Sequence, residues 1–453
     1  SGKGPTMIEA NVYRYFHQNG PFPGSAFGYR EKSEEAEWRK RDPIQMLESQ
    51  LIRRKLMSQN ELTQLREKSQ KVMSDVANDL LEADPSESGK QRFKPSLWPN
   101  PEKIEEGIRG DLSEFDGVKF KEAQDFVGKT VSKKFVTAVA DVMMRRMETD
   151  ETIVVMGEDV HKLNGGPRGA TKGLKEAFPD RVLGTPISEA AFTGLAGGMA
   201  LDGRYKPVVE LMYADFIWVA ADQLFNQIGK ARHMFGGKHE MSLVLRIKIG
   251  TRTGYGSQHS MDPSGIMNTS PGWRIAAPST PLDYIGMMNS SLLCKDPVVV
   301  LEHDSDLYKI SGDVPESDLD FHIPIGSAAV KKVGNSVTIL TFLSMVQHSL
   351  DAVEESGVDA EVIDLRWLDA ASIDWDTIGE SIRKTNNVLI VEQGSRSTSY
   401  GGWLADEIQR RYFDWLDSPI QRVTGSISSP SVSFVLEDAA LANKKKVSDF
   451  LTQ

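Results

Sequence analysis

Five apolar stretches of the chain run into an acid, at Glu158, Glu210, Glu302, Asp364 and Glu392. Open α/β sheets hold ligands at the carboxyl ends of their strands, so each is a candidate acid. The competing reading is that most of them cap neighbouring helices or loops. Glu189, at the end of Thr185-Pro186-Ile187-Ser188-Glu189, stands apart. It heads a helix of small residues: Ala190, Ala191, Gly194, Ala196, Gly197, Gly198 and Ala200. Such residues let two backbones approach closely, which predicts a helix–helix seam, often between subunits. An acid buried at that junction has its pKa raised and can share a proton with a ligand nitrogen. An acid at a helix N-terminus is also favoured by the helix dipole alone, and the pattern leaves both readings open. Gly250 to His259 reads Gly-Thr-Arg-Thr-Gly-Tyr-Gly-Ser-Gln-His. Glycines there let backbone approach a ligand. His259 at the loop's end is either an acid/base group or a surface-turn histidine.

Positioning these side chains requires a sheet. Ile153–Met156, Pro207–Val209, Leu243–Ile247, Val298–Leu301, Val337–Phe342, Val362–Leu365, Val388–Val391 and Gln421–Val423 are short apolar runs. Runs of this kind suit parallel strands buried on both faces. Helices alternate with them, including Ser344–Ser356, with Ser344 as expected cap and Gly357 as stop. The alternation predicts an α/β fold with right-handed crossovers. An acidic Ser/Asp/Pro-rich break near Gly312–Phe321 divides it into units at 131–312 and 322–453.

Residues 1–84 have another texture. A strand-like stretch, Met7–Tyr15, precedes an aromatic, glycine-rich loop from His17 to Tyr29. Asp42-Pro43 starts one helix, and Ser58 with Glu61 forms a capping box for a second. Their stripes, Ile44, Leu47, Leu51 and Ile52, then Leu62, Leu65, Val72, Val76 and Leu80, predict a helix pair packed on a core, with a partner-binding coiled coil as the alternative. Residues 85–130, broken by Pro85, Pro95, Pro99 and Pro101, read as a linker arm, with Phe93, Leu97 and Trp98 docking in a groove.

Composition narrows the function. A chain of 453 residues predicts about three domains. A net charge of −11 argues against a nucleic-acid binder, which shows a basic face. Apolar residues at 40% and charged residues at 26% rule out wholesale disorder. No run approaches the roughly 18 apolar residues of a membrane span. The single cysteine, Cys294, excludes an intramolecular disulfide and a cysteine-rich metal site, and points to a reducing compartment. The start at Ser1, without a leader or a methionine, is read as a processed or truncated product. G-x-S-x-G, H-E-x-x-H and Walker A motifs are absent from the sequence, so a serine hydrolase, zincin or P-loop enzyme is not predicted.

Ordered motifs then carry a resemblance. They run from Gly157-Glu158-Asp159-Val160, Gly165-Gly166 and Thr171–Leu174 through Thr185–Glu189, Tyr213–Phe216 and Ala221-Asp222-Gln223. Met234–Gly237, Gln258-His259-Ser260, Asp296–Glu302 and Arg422–Gly425 complete them. Residues 133–453 resemble the beta chain of the decarboxylating component of thiamine-dependent 2-oxoacid dehydrogenase complexes. Gly4-Pro5, Tyr13-Arg14-Tyr15, Tyr29-Arg30 and Trp38–Pro43 resemble the C-terminal part of the alpha chain. The chain thus looks like an alpha tail fused to a complete beta chain. Where the family has Gly-His-Ser or His-His-Ser, this chain has Phe16-His17-Gln18-Asn19.

The resemblance implies a transketolase-like pyrimidine-binding α/β domain and a transketolase C-terminal-like α/β domain, behind a helical N-terminal extension. It implies thiamine diphosphate, with Glu189 on the ring nitrogen of the aminopyrimidine, favouring the tautomer that takes the thiazolium proton. His259 would supply a proton during acyl transfer to a lipoyl group. Tyr213 and Phe216 would pack on the pyrimidine, with ordinary core as their other reading. His17 would serve the diphosphate end, while the Mg²⁺ site lies on the alpha-chain body, which this chain lacks. Implied partners are that body, a lipoyl acyltransferase component and a 2-oxoacid, in a dimer or α₂β₂-like assembly. No nucleic acid or membrane is expected, and the compartment is the cytoplasm, or the mitochondrial matrix in a eukaryote. Acetoin or related ketone cleavage, and a non-catalytic assembly subunit, are the alternatives.

Overall fold

A computed structural model describes residues 6–18, 20, 22–97, 109–162, 164–237, 239–398 and 400–452. Gly4-Pro5, Asn19, Trp98, Pro99 and Pro101 lie outside them. The chain forms two compact units, Ser1–Pro101 and Glu102–Gln453.

In the first unit, α1 (Lys32–Arg39), α2 (Pro43–Arg53) and α3 (Gln59–Leu80) precede a hairpin of β1 (Leu81–Ala83) and β2 (Gln91–Phe93). Local capping chemistry sets the helix starts. Asp42 accepts from the backbone N–H of Ile44 at 2.8 Å, and Ser58 and Glu61 form the reciprocal box. Arg66 on α3 donates to Glu48 on α2 at 2.8 Å. The expected core under this helix pair is not formed within the unit: Ile44, Leu47, Leu65, Val72 and Val76 are exposed, and only Leu62 of α3 is buried. Met7–Tyr15 is not a strand, because no partner edge among the described residues lies alongside it; a bridge joins Phe16 to Pro23. Its aromatics pack instead, Tyr13 stacking on Trp38 at 5.3 Å. Phe93 and Leu97 are exposed.

The second unit begins with β3 (Thr130–Lys134), α4 (Phe135–Thr149), β4 (Ile153–Glu158), α5 (Leu174–Ala177), β5 (Val182–Thr185) and α6 (Glu189–Asp202). Next come β6 (Lys206–Leu211), α7 (Ala231–Met234), β7 (Val244–Ile249), α8 (Ser264–Met267), β8 (Arg274–Ala276), α9 (Pro281–Leu293) and β9 (Val298–His303). Strands β5-β4-β6-β7-β9-β8 form one six-stranded sheet, parallel throughout. The acidic break contains a strand, β10 (Ser311–Pro315), paired antiparallel with β3.

A five-stranded sheet follows. Its elements are β11 (Ala329–Lys332), β12 (Val337–Thr341), α10 (Met345–Ser356), β13 (Ala360–Asp364), α11 (Trp375–Thr385) and β14 (Val388–Ser395). α12 (Tyr400–Tyr412), β15 (Gln421–Gly425), α13 (Phe434–Ala440) and α14 (Lys444–Leu451) complete the unit. The order is β11-β13-β12-β14-β15, with only β11 antiparallel. Gly357 ends α10 at φ +68°, as expected. Ser344 does not cap it: its hydroxyl donates to Gln393 Oε1 at 3.2 Å instead.

One apolar core runs through both sheets, from Val155, Val209 and Ile247 to Leu340, Ile363 and Ile390. Several buried charges are paired: Arg246 on β7 lies 2.6 Å from Glu302 and 2.9 Å from Glu210, which also holds Lys248 at 2.7 Å. Arg366 clamps Asp283 and Glu122 at 2.7 and 2.8 Å.

Candidate functional site

Four of the five strand-end acids are absorbed by structure. Glu210 and Glu302 hold Arg246, Asp364 accepts from Ser279 at 2.5 Å, and Glu392 accepts from the N–H of Gly401 and from Arg422. Glu158, at the end of β4, is the exception. Burial, then the charges of Asp159 and Glu189, raise its pKa.

Glu189 therefore lies close to Glu158. It opens α6 directly after β5, whose Thr185 is in register with Glu158. Its side chain is buried, at 7% exposure, and makes no hydrogen bond or ion pair with any described residue. It caps no backbone N–H among the described residues, and it stands where the dipole of α6 favours a negative charge. The carboxylate oxygens are therefore free to accept, and a ligand nitrogen would supply the donor that the described residues do not. Two of the small residues of α6 form a seam inside the chain, since a Cβ on Gly194 or Gly197 would come within 3.0 Å of Gln223 or Ile228, while Ala190, Ala191 and Gly198 are exposed.

His259 sits in an aromatic cage. Its ring lies 5.5 Å from Tyr213, 5.3 Å from Phe216 and 5.9 Å from Tyr255, centroid to centroid. Tyr213 and Phe216 follow β6, and the loop carrying His259 follows β7. Gly250 makes the cage possible, because a Cβ there would sit 2.5 Å from the His259 carbonyl oxygen and 3.0 Å from the Tyr213 ring. The Tyr213 hydroxyl donates to Asp304 at 2.9 Å. Burial raises the Asp304 carboxyl, and the nearby Arg168 guanidinium, at 3.6 Å, opposes that rise. Arg168 also donates to the Tyr255 hydroxyl at 3.2 Å. Asp215 is raised by burial, against a backbone N–H from Met261 and the proximity of His259.

Tyr213, Phe216 and His259 thus come together, while Glu189 stands with Glu158 at the carboxyl edge of the same sheet. Strands β4, β6 and β7, which lead to the two clusters, are consecutive neighbours. His17 belongs to the first unit, where its ring meets Phe27 at 6.2 Å. Arg168, Tyr255 and Asp304 escaped sequence reasoning because they meet only through the fold. The one local signal is the left-handed φ of +67° at Arg168, between Gly166 and Gly169. A cleft of about 220 Å³ adjoins the cage, lined by Asp215, Ser260 and Asp262 on one side and Gln393, Gly425 and Ser426 on the other. It includes neither Glu189 nor Tyr213. Among the described residues no group of three or more His, Cys, Asp or Glu is arranged to hold a metal.

A parallel sheet presenting a buried acid and a caged histidine at its carboxyl edge, followed by a smaller mixed sheet, defines a two-domain protein of the transketolase class. Residues 132–309 match the family model of the transketolase pyrimidine binding domain, and 326–447 that of the transketolase C-terminal domain. Residues 1–87 match the dehydrogenase E1 component. A solved split-gene transketolase, described as an inactive beta4 tetramer, shares the fold at a TM-score of 0.56 and 20% identity, over 72% of this chain and 97% of that one. Acetoin:2,6-dichlorophenolindophenol oxidoreductase subunit beta of Bacillus subtilis is 36% identical over 68% of this chain and 93% of its own length. Pyruvate dehydrogenase E1 component subunit beta of Rickettsia felis is 37% identical over 68% and 94%. The chain belongs to the E1 family of thiamine-dependent dehydrogenases, as a beta-subunit body behind an E1 alpha-type segment.

Proposed function

We propose that this chain carries the pyrimidine half of the active site of a 2-oxoacid dehydrogenase, in the component that decarboxylates the oxoacid and passes the acyl group to a lipoyl carrier. The observation behind it is Glu189, a residue 7% exposed at the head of α6 whose carboxylate has no donor among the described residues. Thiamine diphosphate, when bound, supplies the electron sink for loss of CO₂. Glu189 then holds the aminopyrimidine ring nitrogen and shares its proton. Phe216 and Tyr213 form the wall against the ring. His259 delivers a proton as the lipoyl sulfur leaves as a thiol. The diphosphate and its Mg²⁺ fall to an alpha-chain body, with His17 as this chain's contribution to that end. The working enzyme is an α₂β₂-like assembly serving a lipoyl acyltransferase, in the cytoplasm or the mitochondrial matrix. No helix among the described residues is long and apolar enough to cross a membrane. We assign residues 1–84 to the alpha-type segment, 85–130 to an arm, 131–312 to the pyrimidine domain and 322–453 to the C-terminal domain.

Relatives named for acetoin keep a second reading in view. A cation beside the cage, Arg168, favours an anionic oxoacid over a neutral ketone. Dye reduction by the chain assembled with an alpha body, over a panel of pyruvate, branched-chain oxoacids and acetoin, decides between them. Turnover with acetoin alone overturns the oxoacid reading.

A further inference from the structure

The loop that carries His259 is held from the far end of the chain. Glu437, on α13, is buried and turns its carboxylate into the turn after β7. One oxygen accepts from the backbone N–H of Arg252 at 2.8 Å, and the other from that of Gly254 at 3.1 Å. Arg252 has a left-handed φ of +63°, a conformation that a non-glycine residue keeps only when its surroundings impose it. The side chain of Arg252 meets the same segment, donating to Asp438 at 3.0 Å and to the carbonyl of Ala442, and also pairs with Asp306 after β9 at 2.9 Å. Phe434 and Val432 lie over the loop so closely that a Cβ on Gly254 would come within 3.1 Å of the Phe434 ring, and one on Gly256 within 2.9 Å of Val432. From Gly256 the chain runs directly into the site, as its carbonyl accepts from the N–H of His259 at 3.3 Å and from the hydroxyl of Ser260 at 2.7 Å.

We infer that Glu437 is a positioning residue for His259: the C-terminal domain reaches into the pyrimidine domain and sets the catalytic loop through two backbone N–H groups. The inference rests on the proposed role of His259. A carboxylate suits the task because it offers two acceptor oxygens and no donor. Glutamine keeps one acceptor but turns an N–H₂ toward the second amide.

Hydrogen exchange on the full chain tests the anchor without any need for turnover. Glu437→Ala should speed exchange across 250–260 by about tenfold or more while β6 and β7 keep their protection, with Glu437→Gln between it and wild type. In the chain assembled with an alpha body, lipoyl acylation should fall about tenfold while oxoacid-dependent dye reduction falls less than about twofold. A general loss of structure would lower both half-reactions together. Unchanged loop exchange in both variants, or a loosened loop with lipoyl acylation intact, overturns the inference. A wild-type assembly without oxoacid turnover, yet with the loop loosened in Glu437→Ala, overturns the proposed function while leaving the anchor established.

Discussion

Glu189 is the residue on which the chemistry turns. Replacement by glutamine preserves shape and a contact to a ring nitrogen, but an amide cannot exchange a proton there. Glu189→Gln should lower oxoacid-dependent dye reduction by more than the ~10²–10⁴-fold range of ordinary acid–base groups, with the far-ultraviolet dichroism unchanged. Retention of a tenth of the activity would remove Glu189 from the mechanism. Arg168 makes a different prediction. Its Nε lies 3.6 Å from Asp304 and one terminal N–H meets Tyr255, which leaves part of the guanidinium fork turned to solvent beside the cage. Arg168→Gln should raise KM for an anionic oxoacid about tenfold with little change in kcat, and leave a neutral ketone unaffected. Arg168→Lys should recover only part of the loss, because an ammonium cannot reproduce the planar fork. Equal losses on charged and neutral substrates would mean that Arg168 only balances the buried Asp304.

At the scale of elements, the decisive piece is the loop between β7 and α8. Its glycines are not interchangeable. Gly250 is squeezed between the His259 carbonyl and the Tyr213 ring, and neither can withdraw, one being backbone and the other held by Asp304. Gly250→Ala should cost about 1–3 kcal/mol in urea unfolding, as overpacking does, and should reduce turnover further by displacing the cage. A variant of wild-type stability and activity would show that the loop is looser than its contacts imply. The helices of the first unit show the opposite limit. Their starts are local chemistry, legible in Asp42-Pro43 and Ser58–Glu61. Their destination is not, because an apolar stripe states only that something must cover it.

For the whole molecule, polar contacts tie the two sheets of the second unit together. Asp306, after β9, lies 2.9 Å from Arg252 and 3.5 Å from His348 on α10. Burial raises its carboxyl, but the hydrogen bond from His348 and the charges of His303 and Arg252 outweigh that and bring it down to about 2, from an ordinary 3.8. A depressed acid stabilises the fold above its unfolded pKa, and the contribution is lost as pH falls through the folded value. Wild type should therefore lose about 2 kcal/mol more than Asp306→Asn between pH 3.8 and about 2, as read by urea unfolding at each pH. Parallel pH curves for the two proteins would mean that Asp306 contributes nothing to the tie.

Much of this was determined by the sequence alone. The short apolar runs specified eight of the strands, since a parallel strand buried on both faces has little freedom but to be apolar. The ordered motifs specified the two α/β domains and singled out Glu189, His259, Tyr213 and Phe216. Tertiary structure decided the rest. It absorbed four strand-end acids into pairs and caps while leaving Glu189 without a partner among the described residues, and no local pattern separates those fates. It recruited Arg168, Tyr255 and Asp304 to the histidine, and Glu437 to the histidine's loop, across sequence separations of 87 residues for Arg168 and Tyr255 and 185 for Arg252 and Glu437. It also turned the acidic break into a strand, because β3 offered β10 an unpaired edge, and denied Met7–Tyr15 a strand, because no described residue did. Periodicity reports what one segment requires of its surroundings; only the folded chain supplies the second member of each hydrogen bond, ion pair and strand edge.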